Sequence, residues 1–215
     1  MPLQLRGYYA ILDLTGEQPE APTTLLARAE ARLAARPACL QLRAKHTRAV
    51  DLRRIAALLL PACQAAGVPL CVNDRLDVAL AVGADGVHLG QNDLPLVDAL
   101  RIRPRRQFFV GISTHDLAQA QAAADAGADY IGFGPVFATQ TKTDAESAVG
   151  LDRLREVCAA VSLPVVAIGG ITLANVDAVA ATGAAAAAVI AAVDGASDPV
   201  AAAKAIAKAF AATQR

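Results

Sequence analysis

The segment Gln41-Leu42-Arg43-Ala44-Lys45 combines an amide with two cations, and it follows a short apolar run, Ala38-Cys39-Leu40. Such a run predicts a β-strand, in which residues two apart share a face. Gln41, Arg43 and Lys45 would then point the same way. Unpaired cations are very costly to bury, so inside a barrel an anion should neutralise them. A surface strand with a solvated polar face is the alternative.

Two acidic residues, Asp74 and Asp93, come soon after adjacent predicted strands. A pair of carboxylates near basic residues, without a set of His or Cys ligands, suits a hard cation such as Mg²⁺. Magnesium commonly binds together with phosphate or diphosphate. The alternative is that each carboxylate caps the helix that follows it.

Other polar and glycine residues could form anion sites. The segment Thr139-Gln140-Thr141-Lys142 places two hydroxyls and an amine in the longest predicted loop, where they could clamp an anion. Gly169-Gly170 would let backbone amides approach a phosphate, and the amides of Ile190 and Ala191 could complete this second pocket. The sequence therefore suggests two anion sites.

Two histidines, His88 and His115, also follow predicted strands. No nucleophile with a base and an orienting partner is recognisable beside them, which argues against hydrolysis by a catalytic triad. We expect both histidines to be hydrogen-bonded structural residues.

The elements that would position these residues alternate regularly along the chain. Strands are predicted at 8–12, 38–42, 70–73, 86–89, 108–112, 130–133, 165–168 and 186–190, with helices at 23–36, 49–66, 76–82, 94–101, 117–126, 151–160, 174–182 and 199–213. Glycines at 67, 83, 127 and 183 are expected just after helix ends, and Asp116 and Thr172 are expected as N-caps. Eight βα units predict one closed (β/α)8 barrel, a single domain over residues 1–215. A doubly wound open sheet is the alternative, although the segment after strand one is a poor nucleotide loop.

Composition excludes several classes of protein. Twenty basic and twenty acidic residues leave a formal net charge of zero, and aromatic residues make up only 4% of the chain, which argues against nucleic-acid binding. The four cysteines form no C-x-x-C pair, so core thiols in a reduced cytoplasm are expected. No apolar run approaches the roughly 20 residues of a membrane span.

Taken in order, these motifs resemble the thiamine-phosphate synthase family over nearly the whole chain. The resemblance rests on Gln41-Leu42-Arg43-Ala44-Lys45, Asn73-Asp74-Arg75, Asp85-Gly86-Val87-His88-Leu89-Gly90-Gln91 with Asp93, Gly111-Ile112-Ser113-Thr114-His115, Gly134-Pro135-Val136-Phe137, Thr139-Gln140-Thr141-Lys142 and Ala167-Ile168-Gly169-Gly170-Ile171.

The resemblance implies a transferase that joins hydroxymethylpyrimidine diphosphate to a thiazole phosphate with loss of diphosphate, through a pyrimidine cation. By this resemblance, Asp74 and Asp93 hold Mg²⁺, and Arg43, Lys45, Ser113 and Lys142 stabilise the diphosphate. Gln41 and Asn73 would orient the pyrimidine or its diphosphate. The thiazole phosphate would be held by Thr139, Thr141, Gly170, Ile190 and Ala191. Small-molecule substrates are the expected partners, and a homodimer is compatible with the sequence.

Some positions depart from the family pattern. Ala44 stands where an acidic residue is usual, but strand alternation predicts that its side chain faces away from the site. Ala191 replaces a serine, Leu12 a threonine, and Ala185-Ala186 an Asp-Gly pair. A related thiazole tautomerase would carry a catalytic histidine where this chain has Pro135. A phosphate-binding barrel without catalysis is a further alternative.

Overall fold

The structure, a computed structural model, describes residues 5–14, 20–104, 107–139 and 147–213. Within them, eight parallel strands form a closed barrel in sequence order, and β1 pairs with β8, which excludes the open-sheet alternative. The strands are β1 (Gly7–Asp13), β2 (Cys39–Arg43), β3 (Leu70–Asn73), β4 (Gly86–Leu89), β5 (Phe109–Thr114), β6 (Tyr130–Phe133), β7 (Val165–Ile168) and β8 (Ala186–Val189). The helices are α1 (Pro22–Leu33), α2 (Ala49–Ala66), α3 (Leu76–Val82), α4 (Leu96–Ile102), α5 (Leu117–Ala126), α6 (Gly150–Ala160), α7 (Val176–Ala180), α8 (Ala191–Asp194) and α9 (Pro199–Thr213).

Two apolar layers follow from the alternation of side chains along each strand. Tyr8 and Leu12 of β1 point outward and join a large cluster with the helices. Tyr9 points inward, where it packs with Phe109 and Tyr130 in a cluster drawn mainly from the strands. The barrel interior is therefore a packed core that also contains phenol groups.

Most predicted boundaries agree with the structure, and the differences lie mainly at element ends. Strand β1 extends one residue further than predicted, to Asp13, and β5 extends to Thr114 because Ser113 and Thr114 pair in register with β6. Helix α7 is shorter than predicted, and the four-residue α8 was not predicted.

Helix ends test the predicted caps. Gly67, Gly83 and Gly127 end their helices in the left-handed conformation, as expected for glycine. Gly183 does not end a helix, because α7 ends earlier, with Ala181 as its C-cap. Asp116 caps α5 by accepting a hydrogen bond from the amide of Gln119. The prediction for Thr172 is wrong: its amide instead donates to Asn175 Oδ1, because a turn separates it from α7.

The expectation of thiols in the core is confirmed for Cys39, Cys63 and Cys71, which are buried free thiols, while Cys158 is only half-buried. Burial raises the pKa of the Cys63 thiol to about 12. No helix in the described part of the chain is long and apolar enough to cross a membrane.

Candidate active site

A cavity of about 540 Å³ opens at the carboxyl ends of the strands. This volume is typical of small-molecule sites, and the position is the usual one for catalytic residues in such barrels. Ten of the predicted site residues line the cavity: Arg43, Lys45, Asn73, Asp74, Asp93, Ser113, Thr139, Gly170, Ile190 and Ala191. Polar residues from the carboxyl ends of several strands thus converge on one cavity.

The anion expected beside Arg43 is supplied in part by the protein itself. Asp13, the last residue of β1, lies beside Arg43 in the parallel register. Arg43 Nη1 donates to both carboxylate oxygens of Asp13, at 2.9 and 2.8 Å, and both side chains are buried. The charge of Arg43 is thus already balanced within the barrel, and a bound anion would share this guanidinium with Asp13.

The other residues of the basic segment separate by depth and by face. Lys45, beyond the end of β2, lines the cavity and is exposed. Gln41 is buried in the barrel interior and does not line the cavity; its Nε2 donates to Tyr9 Oη at 3.0 Å. Ala44 packs in the outer apolar cluster, which confirms that its side chain faces away from the site.

Asp74 and Asp93 form a carboxyl pair at the β3–β4 side of the cavity. Burial raises the pKa of Asp74 to about 6; a hydrogen bond and charge repulsion from Asp93 add to the rise, while Lys45 and Arg43 oppose it. Asp74 also has a positive φ of 63°, a conformation that costs most side chains about 1 kcal/mol or more. Asp74 thus lies beside Asp93 in spite of charge repulsion and an uncommon backbone conformation.

The capping alternative does not account for these carboxylates. Helices α3 and α4, which follow them, have no side-chain cap hydrogen bond. Asp93 Oδ2 instead accepts from the amide of Gly90 at 2.6 Å, which closes the turn after β4. Asp93 also shares a side-chain hydrogen bond with Asp74.

The donor set fits magnesium. Two adjacent carboxylates repel each other when both are ionised, and a divalent cation would relieve that repulsion. In the described part of the chain, no group of three or more His, Cys, Asp or Glu side chains could hold a metal, so the protein would supply two ligands at this place. Magnesium commonly accepts one or two carboxylates and fills its other positions with water and phosphate oxygens.

Ser113 is tied to the barrel interior through His88. Ser113 Oγ lies 3.0 Å from His88 Nε2, and His88 Nδ1 lies 2.9 Å from Tyr130 Oη. Tyr130 Oη in turn lies 2.8 Å from Tyr9 Oη. His88 is therefore hydrogen-bonded at both ring nitrogens, in agreement with the structural role that we expected for it.

Glycine and backbone groups form the opposite side of the cavity, after β7 and β8. A Cβ atom on Gly170 would lie 2.7 Å from Ala138 O, and one on Gly169 would lie 2.5 Å from Pro135 Cβ. Both glycines also have positive φ values, of 62° and 100°. The glycine pair is thus required by the close approach of residues 135–138, in addition to any phosphate contact.

Two predicted site residues, Thr141 and Lys142, lie outside the described residues, so their roles stay predictions. Thr139, just before them, is half-buried and lines the cavity. His115, another predicted structural residue, has its Nδ1 at 2.7 Å from the carbonyl oxygen of Gly134.

Sequence reasoning missed three residues that support the site: Asp13, Tyr9 and Tyr130. Asp13 could have been found from its place at the end of a strand, beside a strand that carries Arg43. The two tyrosines gave no comparable signal, since aromatic residues in strands usually indicate only core packing. Their roles depend on hydroxyl groups that meet between strands distant in sequence.

The cavity thus has cations and paired carboxylates on one side and glycines on the other. In a (β/α)8 barrel, this combination is typical of an enzyme that binds phosphorylated small molecules. A family model described as thiamine monophosphate synthase matches residues 9–193. A thiamine-phosphate synthase of Methanocella arvoryzae is 52% identical over 145 residues, 67% of this chain and 68% of that relative. Another, of Methanoculleus marisnigri, is 50% identical over 83% of both chains.

The solved structures agree with these matches. A thiamine phosphate pyrophosphorylase from Pyrococcus furiosus superposes with a TM-score of 0.87 at 34% identity, over 99% of this chain and 98% of that one. The chain therefore belongs to the thiamine monophosphate synthase family.

Proposed function

We propose that this protein is a thiamine-phosphate synthase, a transferase that joins 4-amino-2-methyl-5-hydroxymethylpyrimidine diphosphate to a thiazole phosphate and releases diphosphate. The observation that carries this proposal, beyond family membership, is the two-sided cavity. Cations and carboxylates surround one end, and glycines with backbone amides surround the other. Two differently phosphorylated substrates would match these two ends.

At the first end, the leaving diphosphate would lie among Arg43, Lys45 and Ser113. Preorganised cations and donors stabilise charge that develops on a leaving group. Lys142 would add a further cation, and Asn73 would orient the pyrimidine. Gln41 lies beneath the cavity, and its amide nitrogen donates to Tyr9, so any effect of Gln41 on the pyrimidine would be indirect.

Magnesium held by Asp74 and Asp93 would neutralise diphosphate charge as the carbon–oxygen bond breaks. Asp13 would keep the Arg43 guanidinium in place at 2.8–2.9 Å, and it would limit how far this cation moves towards the anion. The remaining chemistry needs little acid–base catalysis, because the thiazole nitrogen attacks a pyrimidine cation.

At the second end, the thiazole phosphate would lie against Gly170 and the amides of Ile190 and Ala191, with Thr139 and Thr141 from the preceding loop. Ile190 and Ala191 line the cavity at the start of α8. Ala191 offers only its backbone amide, so the binding of this phosphate would depend on main-chain donors.

The test is an assay of the purified protein with both phosphorylated precursors, with Mg²⁺ and with the metal removed by a chelator. We expect thiamine phosphate and diphosphate only in the presence of Mg²⁺. No product at saturating substrates with Mg²⁺ would refute the synthase proposal and favour a phosphate-binding barrel. The tautomerase alternative is less well supported, because Pro135, which lines the cavity, has no group for proton transfer.

A pair of variants tests the metal ligands. Asp93→Asn keeps an oxygen that can accept from Gly90, so we expect a folded protein whose turnover falls by about 100-fold or more. Asp98→Asn is the matched control, because Asp98 lies on α4 in an exposed pair with Arg101. If Asp93→Asn unfolds the protein while turnover per folded molecule is unchanged, Asp93 is structural.

We further propose a cytoplasmic protein whose residues 1–215 act as one domain, with a homodimer as its assembly. Sedimentation of the purified protein would measure the mass of the particle directly. A monomer at all concentrations would refute the homodimer without affecting the proposed activity.

A further inference from the structure

We propose that Tyr9, Tyr130 and His88 are positioning residues that fix the direction of the Ser113 hydroxyl, so that Ser113 donates its proton into the cavity. These side chains form one continuous hydrogen-bonded chain with Gln41 at its lower end and Ser113 at its upper end. The four links are 3.0, 2.8, 2.9 and 3.0 Å long, from Gln41 to Ser113. Of these five hydrogen-bonded residues, only Ser113 is half-buried; the other four are buried.

The direction of the chain follows from counting donors, starting at Gln41. With the Gln41 amide oriented as in the structure, Nε2 faces Tyr9 and can only donate, so we infer that Tyr9 Oη accepts from it and directs its own hydrogen to Tyr130 Oη. Tyr130, having accepted one bond, donates to His88 Nδ1. A neutral imidazole that accepts at Nδ1 carries its hydrogen on Nε2.

His88 therefore donates from Nε2 to Ser113 Oγ. A serine oxygen that accepts this bond keeps its own hydrogen free to turn into the cavity. In the opposite direction, Ser113 would donate to His88 and offer only lone pairs to a ligand. Because an anion such as diphosphate only accepts hydrogen bonds, the first arrangement favours binding and the second opposes it.

Burial of the two phenols keeps this arrangement intact. Burial raises the pKa of both Tyr9 and Tyr130 well above 10, so each hydroxyl keeps its single hydrogen at neutral pH. Two buried thiols compete as acceptors: Cys39 contacts Tyr9, and Cys71 Sγ lies 3.9 Å from Tyr130 Oη, which is 1 Å farther than His88 Nδ1. The imidazole is the closer and stronger acceptor.

The barrel makes room for the chain with a glycine. A Cβ atom at Gly111, which pairs with Tyr130 in the parallel register, would collide with the Tyr130 ring. The Tyr130 hydroxyl is thus held between Tyr9 and His88 by the packing of its ring. Packing in the core beneath the cavity therefore helps to orient Ser113 as a donor.

The first test measures the tautomer of His88 in the ligand-free protein by ¹⁵N NMR with labelled histidine. The resonance lost in the His88→Gln variant identifies the residue. We expect hydrogen on Nε2 and an unprotonated Nδ1. A hydrogen on Nδ1, whether in the neutral ring or in an imidazolium, would overturn the proposal. This result does not depend on whether the protein is a synthase.

The role of Ser113 as a ligand donor rests on the proposed function, and a second test addresses it with inorganic diphosphate and Mg²⁺ as the probe. Calorimetry of the wild type, Ser113→Ala, Tyr130→Phe and the double variant forms a double-mutant cycle. We expect Ser113→Ala to weaken binding by roughly tenfold or more, and Tyr130→Phe by roughly fivefold. In the Ser113→Ala background, Tyr130→Phe should change the affinity by less than about twofold.

Tyr8→Phe is the matched control, since Tyr8 is adjacent in β1 but faces outward, and its buried hydroxyl has no hydrogen-bond partner among the described residues. It should leave both the tautomer and the affinity unchanged. Equal losses from Tyr130→Phe with and without Ser113 would show a merely structural role and overturn the proposal. A wild-type protein that binds diphosphate but makes no thiamine phosphate would refute the proposed function. It would not contradict the proposal that Tyr9, Tyr130 and His88 position Ser113.

Discussion

Replacement of Asp13 by Asn should expose how far the barrel depends on the ion pair between Asp13 and Arg43. The two side chains are 9% and 5% exposed, and both carboxylate oxygens lie within 2.9 Å of Arg43 Nη1. Asn keeps the size of the side chain and one oxygen acceptor. It removes the negative charge and replaces the second oxygen with a donor that repels the guanidinium.

The magnitude follows from the burial of the pair. Breaking a buried ion pair costs about 3–5 kcal/mol, because the remaining buried charge loses its nearest counterion. The retained acceptor offsets about 1 kcal/mol of this loss. We therefore expect Asp13→Asn to lower the free energy of unfolding by about 2–4 kcal/mol. For a chain of this length, such a loss lowers Tm by roughly 5–15 °C.

Urea denaturation at neutral pH measures this loss, and Asp77→Asn provides the matched control. Asp77 pairs with Arg75 in the same way, but the two side chains are 63% and 39% exposed. Exposed pairs contribute about 0–1 kcal/mol, so the control should change stability very little. If Asp13→Asn costs no more than Asp77→Asn, burial does not make Asp13 the required counterion. Added diphosphate should restore part of the loss, because it would neutralise Arg43 in place of Asp13.

Three further predictions concern the frame around the site. Asp194→Asn should lower the free energy of unfolding by about 1–2 kcal/mol in urea titrations, since Asp194 accepts from buried Arg32 at 2.6 Å while Arg32 keeps its bond to a carbonyl oxygen. Gly111→Ala should cost about 1–3 kcal/mol and weaken diphosphate binding measured by calorimetry, because the new methyl group displaces the Tyr130 ring; unchanged affinity would contradict this. Raising the pH above about 9 should lower the free energy of unfolding, because Cys63 ionises in the unfolded chain but not in the fold, where its pKa is raised to about 12. Cys63→Ala should reduce the slope of the free energy of unfolding against pH by about 1.4 kcal/mol per pH unit.

Local sequence patterns were sufficient to predict the strands and helices and most of the residues that line the cavity. Alternating apolar and helical periods predicted β3, β4, β6 and β7 to the residue, because buried parallel strands are short apolar runs between clear helix ends. Since all carboxyl ends of parallel strands meet at one edge, the positions after each strand already indicated which residues converge. The pair Asp74 and Asp93 is an example.

Contacts between side chains of different strands could not be predicted from these local patterns. The sequence suggested that Arg43 needed an anion, but the neighbour that supplies it, Asp13, is set by the register of β1 against β2. Likewise, His88 was expected to be structural without any indication of its partners. Thr172 was assigned as a cap because its residue type permits one, whereas the turn geometry decides the donor.

The class of fold, the end of the barrel that carries the site and the chemical groups present there can be predicted from the amino-acid sequence. These depend on periodicity and residue type, which are local properties. Which charges are paired and which buried side chains share hydrogen bonds could be learned from the folded protein alone. Those depend on distances of about 3 Å between side chains such as Tyr9 and Tyr130, 121 residues apart in the chain, and closure of the barrel alone brings them together.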